Sequence, residues 1–179
     1  MKLQIFTATI LLCQVFFSVN TFSQQRDPLD IAADFVKANL EKWELSADDV
    51  AGMTLSDRYS TEHNGVTHLY FIQRHAGIEV HTAIMGVHVK PDGKVGYAVH
   101  RFVPGLAGRV NTTQPLLTSR QAIDFAAKHV GVYHETTLRQ VGHPGPNLYI
   151  YDGGTMAQSD INVKLVFQQM RNQGTVRLA

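Results

Sequence analysis

Apolar residues recur at three- and four-residue steps in two stretches of the chain and at two-residue steps through much of the rest, a pattern that predicts both helices and strands. The first helical stripe is Leu29, Ala32, Val36, Leu40 and Trp43, widened by Ile31 and Phe35. Ahead of it, Asp27-Pro28-Leu29-Asp30 offers a side-chain acceptor for exposed N–H groups, a residue with no N–H to leave unpaired, and a carboxylate at the positive helix end. One amphipathic helix over 28–43 is predicted. After a polar connector, residues 66–74 and 78–90 are rich in β-branched and aromatic side chains, and a strand is expected around 53–61. Val95, Tyr97, Val99 and Val103 alternate with Lys94, Gly96 and His100 along a further strand. Asn64-Gly65, Ala76-Gly77 and Pro91-Asp92-Gly93 supply the turns between them. A helix against this antiparallel meander makes a complete two-layer unit.

Residues 104–115 (PGLAGRVNTTQP) read as a loop and form the best internal boundary. Thr118 and Gln121 have the spacing of a capping box, and Ala122, Ile123, Ala126, Ala127 and Val130 form a second helical stripe ending at Gly131. Strands are expected at 148–151, 161–169 and 175–179. The fold class is therefore α+β, as two small helix-plus-antiparallel-sheet subdomains at 24–105 and 116–179 joined by a linker at 106–115. The last five residues are strand-like with no closing turn, so the second subdomain is expected to be incomplete at its C-terminus.

Residues 1–23 differ in kind. Lys2 precedes a mostly apolar run from Ile5 to Val19, and Thr21-Phe22-Ser23 ends in a small residue, which predicts a secretory signal peptide cut after Ser23. The run is too short to span a bilayer, so no membrane association is expected once it is removed. Cys13 lies inside it, so the remaining chain has no thiol and no disulfide and must be stabilised by packing. Its lysines and arginines balance its 15 acidic residues, which argues against a nucleic-acid partner.

The chemistry-bearing motifs are missing in specific ways. There is no His-Glu-x-x-His, no Gly-x-Ser-x-Gly and no phosphate-binding glycine loop, and no catalytic or metal-ligating residue is assigned. Six histidines (His63, His68, His75, His81, His88, His100) crowd the first β region. Packing or solvated roles are favoured for them over zinc, with a switch near pH 6 as a further hypothesis. Asn111-Thr112-Thr113 fits a glycosylation sequon but reads as an ordinary polar loop. A small exported hydrolase and a ligand-binding domain stand as rival classes with no motif to support them.

The run 59–104 resembles the fungalysin/thermolysin propeptide domain. The matching residues are Asn64-Gly65-Val66-Thr67-His68, then Tyr70 and Gln73, then Gly77-Ile78 with Val80 and Ala83, and the hairpin Asp92-Gly93-Lys94-Val95. The resemblance implies a cystatin-like, propeptide-type fold and a secreted precursor of a zinc metalloendopeptidase. This chain would be its non-catalytic propeptide, acting as intramolecular chaperone and inhibitor. The partner implied is the protease domain of the same precursor, and the zinc is expected in that domain. A stand-alone secreted inhibitor acting in trans is the alternative. Among the motif residues, Asn64, Thr67, His68, Gln73 and Glu79 are the candidates for contact with a protease, and Gly65, Tyr70, Gly77, Val80 and Gly93 are expected to be structural.

Overall fold

A computed structural model describes residues 26–132, 138–170 and 174–179. The expected leader over 1–23 lies outside them.

Helix α1 (Pro28–Ala38) starts as its sequence predicts, with the Asp27 side chain accepting from Leu29 N. It stops at Asn39, short of the expected end, and Glu41–Trp43 winds as a 3-10 turn closed by Glu44 in the left-handed region. The polar connector then contains an unexpected second helix, α2 (Ala47–Ala51). Ser46 and Asp49 cap it reciprocally, so that five residues with little apolar surface hold a helical turn.

Strands β1 (Thr54–Ser60), β2 (Thr67–His75), β3 (Ile78–Val89) and β4 (Val95–His100) form the expected antiparallel meander. Gly65, Gly77 and Gly93 all take positive φ in its turns. At Gly65 the conformation and the space act together, since a Cβ there would lie 2.9 Å from the Pro91 ring. Helix α1 packs across β2, β3 and β4. Ala32 and Val36 meet Leu69, Phe71, Met85, Val87 and Val89 in the main core.

The register breaks where β2 has Gln73 alone against residues 80–83 of β3. Thr82, inside this bulge, has φ +65°, which a β-branched residue adopts at a cost of about 1–2 kcal/mol. Thr82→Gly is expected to raise stability by up to about 1 kcal/mol, because glycine's extra freedom in the unfolded chain offsets part of the relief. Urea denaturation reads this directly, and a variant less stable than the parent would show that the bulge is not strained.

The second half departs from the expected layout. Helix α3 (Ser119–Val130) has its Thr118–Gln121 capping box and its left-handed Gly131. Strands β5 (Gln140–Gly145), β6 (Leu148–Tyr151) and β7 (Ile161–Lys164) form a separate three-stranded sheet over a small core of Ile123, Leu138 and Tyr151. The single strand expected at 161–169 is divided at Leu165, and β8 (Val166–Gln169) and β9 (Val176–Leu178) leave this sheet for the first one. There β8 pairs with β3 in parallel, Glu79 opposite Val166 and Val80 opposite Phe167, so the first sheet is not wholly antiparallel. Phe167 and Val176 are buried in the main core beside residues of the first half. The connector at 106–115 therefore does not divide two self-contained halves. Asn111 within it accepts from Leu178 N at 3.0 Å, which gives the sequon asparagine a structural role in holding β9.

Candidate docking face

Sheet pleating sends alternate residues of β1–β4 to opposite faces. One face lies under α1. The other presents a row of rings at matched register, with Tyr59 opposite His68, His68 opposite His88, and His88 opposite Tyr97. Tyr59 stacks on His68 at 4.7 Å between ring centres, and Tyr97 stacks on His88 at 5.7 Å. Tyr70 fills the adjoining position, 6.1 Å from Tyr59 and edge-on to His88 at 5.9 Å, where Gly86 leaves room for its ring. Tyr97 is 61% exposed, and Tyr59, Ile84 and Val99 are each more than 40% exposed, so the row carries substantial apolar surface in contact with water.

Val95, Tyr97, Val99 and Val103 were expected to share one face of a strand. A register shift at His88/Val89 turns Val95 inward and Tyr97 and Val99 outward, placing Ala98 and His100 over the core instead. Gly96 sits at this irregularity. Its missing Cβ accommodates the Lys90 side chain, which would otherwise lie 3.3 Å away.

In the middle of the row the Nδ1 atoms of His68 and His88 approach to 2.7 Å, a hydrogen bond in which one nitrogen donates and the other accepts. His68 Nε2 meets Thr61 Oγ1 at 2.7 Å. Burial, and secondarily the nearby His68, lowers the pKa of His88 from its ordinary value. The Tyr59–Tyr70 hydroxyl contact at 3.4 Å raises that of Tyr70, with burial adding to it.

The motif residues named from sequence fall into separate environments. Asn64 is exposed, but its Oδ1 accepts from Val66 N in its own turn. Thr67 is buried, and its hydroxyl meets Ser60 Oγ at 3.0 Å. Gln73 is fully buried and cannot touch a partner; it donates to the carbonyls of Asp49 and Val103 and accepts from Val103 N. Its contact assignment is therefore corrected to a structural one. Glu79 pairs with Arg74 at 2.6 Å and with Lys164 on β7, joining the two sheets. Burial would raise its pKa, but these two cations outweigh that and lower it. His68 alone among the contact candidates belongs to the row. Val80 is a core residue, whereas Tyr70 packs on the outer face.

Sequence reasoning missed Tyr59, His88 and Tyr97 as members of one site. They are separated by up to 38 positions, and only the strand register aligns them. The remaining meander histidines are dispersed, with His63 and His81 exposed and His100 packed against Trp43. Among the described residues no three His, Cys, Asp or Glu side chains are placed to hold a metal ion.

A sheet covered by a helix on one face and lined by rings on the other is an α+β architecture. Residues 51–96, which span β1 to β3 and the start of β4, match the Fungalysin/Thermolysin Propeptide Motif. Over 126 residues the chain is 29% identical to an extracellular metalloproteinase of Pyrenophora tritici-repentis. The aligned part makes up 66% of this chain and 18% of that protein, so the chain spans less than a fifth of its relative's length. Both findings support a fungalysin-family propeptide region. No helix among the described residues is long and apolar enough to cross a membrane.

Proposed function

We propose that this chain is the secreted, non-catalytic propeptide of a fungalysin-like zinc metalloendopeptidase precursor, and that it assists folding of the protease domain and covers it until processing. Its leader over 1–23 is removed on export. The segment 24–105 forms the propeptide module proper, and 116–179 completes it. Contact with the protease domain runs through the open face, with Tyr59, Tyr70, Ile84, Tyr97 and Val99 as its apolar centre. The observation that carries this reading is the coincidence of the matched segment, 51–96, with the strands that build that face. Aromatic side chains that stand half out of water contribute large contact area at little loss of side-chain freedom, which suits a protein partner.

The test is to add the purified chain to a fungalysin-type zinc endopeptidase and follow hydrolysis of a peptide substrate. Dose-dependent inhibition is expected, weakened at least about tenfold by Tyr97→Arg or Val99→Asp, which charge the face without touching the core. Absence of inhibition at any concentration would overturn the reading. Inhibition that both variants leave intact would remove this face as the contact.

A further inference from the structure

The His68–His88 pair sits at the centre of the open face, and its geometry limits how many protons it can hold. With the two Nδ1 atoms 2.7 Å apart, one hydrogen fits between them and a second does not. A first additional proton can settle on an outer Nε2 nitrogen and leave the shared hydrogen in place. When both rings are imidazolium, each Nδ1 carries a hydrogen and two like charges face each other, so the rings must part.

The surroundings offer no relief. From β1, Tyr59 stacks on His68, and Asp57 lies two register positions away, opposite Tyr70. From β2 and its turn come Tyr70 and the Thr61 hydroxyl, and from β4 comes Tyr97. The charged side chain that follows on the same strand is Lys90, itself cationic and 3.9 Å from Asp92. Among the described residues no carboxylate is hydrogen-bonded or ion-paired to either imidazole. Parting the rings unstacks Tyr59 on one side and Tyr97 on the other, so the disturbance extends across all four strands of the face.

We propose that the His68–His88 pair is an acid-operated release built into the docking face, closed near neutral pH and opened as the second proton arrives. Its use as a release of the protease domain rests on the function proposed above; its action on the module itself does not. The sign follows from linkage. His88 binds its proton less readily folded than unfolded, so stability is intact above the ordinary histidine value of 6.5 and falls as pH drops below it towards the lowered folded value. His100, also lowered by burial, adds a loss in the same direction that does not involve the pair.

The experiment compares the full chain with His88→Gln, which keeps a neutral hydrogen-bonding partner for His68, and His88→Phe, which keeps the stack on Tyr97 and cannot ionise. Thermal unfolding is followed between about pH 8 and about pH 5. The expected result is a Tm that falls several degrees further in the parent than in either variant, since the His100 contribution is common to all three. Parallel profiles would overturn the proposal. Two-dimensional NMR of the ring nitrogens adds a readout independent of overall stability. One ring of the pair should titrate well below the other, and two rings titrating together would equally overturn it. Inhibition of the protease is then measured at the same pH values. A chain that inhibits equally at both overturns the release role. A chain that inhibits at neither pH overturns the function proposed above and leaves the switch to the first two measurements.

Discussion

Gln73→Ala is expected to lower the stability of the chain by about 3–5 kcal/mol, an effect sufficient to unfold a module of ordinary stability. The Gln73 amide is fully buried and acts as a short piece of strand. Its Oε1 accepts from Val103 N at 2.7 Å, and its Nε2 donates to Val103 O at 2.9 Å and to Asp49 O at 3.2 Å. Truncation leaves a cavity and deprives a buried donor and two buried carbonyls of partners at once. Gln73→Glu separates hydrogen bonding from volume. At neutral pH its acceptor-only carboxylate faces two carbonyls and should be as damaging as alanine, while acidification supplies a carboxyl hydrogen and should recover part of the loss. Urea midpoints at several pH values test both variants. A Gln73→Ala chain within about 1 kcal/mol of the parent would contradict this account of the bulge.

The second large effect is expected at Asp49, one helical turn from the same seam. Its carboxylate accepts from Ser46 N and Ser46 Oγ on its own helix and from Gly105 N and Leu106 N after β4, at 2.8–3.0 Å. Asp49→Asn turns one acceptor into a donor facing other donors and should cost about 2–3 kcal/mol in urea denaturation. Burial alone would raise the Asp49 pKa, but the hydrogen bonds from Ser46, Gly105 and Leu106 outweigh it, and the net direction is down. The stabilisation is therefore present above the ordinary value of 3.8 and is lost as pH falls through the lower folded value. In the asparagine variant that portion of the acid unfolding should vanish. Retention of the full acid transition would place its origin elsewhere.

The parts of the fold legible in the sequence are those encoded locally. The start of α1, the four strands of the meander, their glycine turns and the capped α3 each rest on residues within a few positions of one another. Helix α2 was equally local, since Ser46 and Asp49 have capping-box spacing, but its lack of an apolar stripe hid it. The end of α1 was overread because Leu40 and Trp43 keep helical spacing while packing from a 3-10 turn. Strand β5 has almost no β-prone residues and exists through its pairing with β6. The outward turn of Tyr97 depends on a register shift, and the departure of β8 depends on a parallel partner some 87 positions earlier; neither has a local signature. The candidate site is a register effect throughout. His68 was visible as a motif residue, whereas the row that gives it meaning exists only when four strands are aligned.

The parallel pairing of β3 with β8 also sets a timetable. A chain that emerges from its N-terminus has α1 through β4 available early, yet the edge of β3 at Glu79 and Val80 stays bare until residues 166 and 167 arrive. Until then the core lacks Phe167 and Val176, and Glu79 lacks Lys164. Contacts so distant in sequence are the slow ones to form, and an uncovered strand edge beside an incomplete core is prone to wrong partners. Strands β8 and β9 thus act as a latch on β3, and completion of the main core waits until residues 166–178 have been delivered.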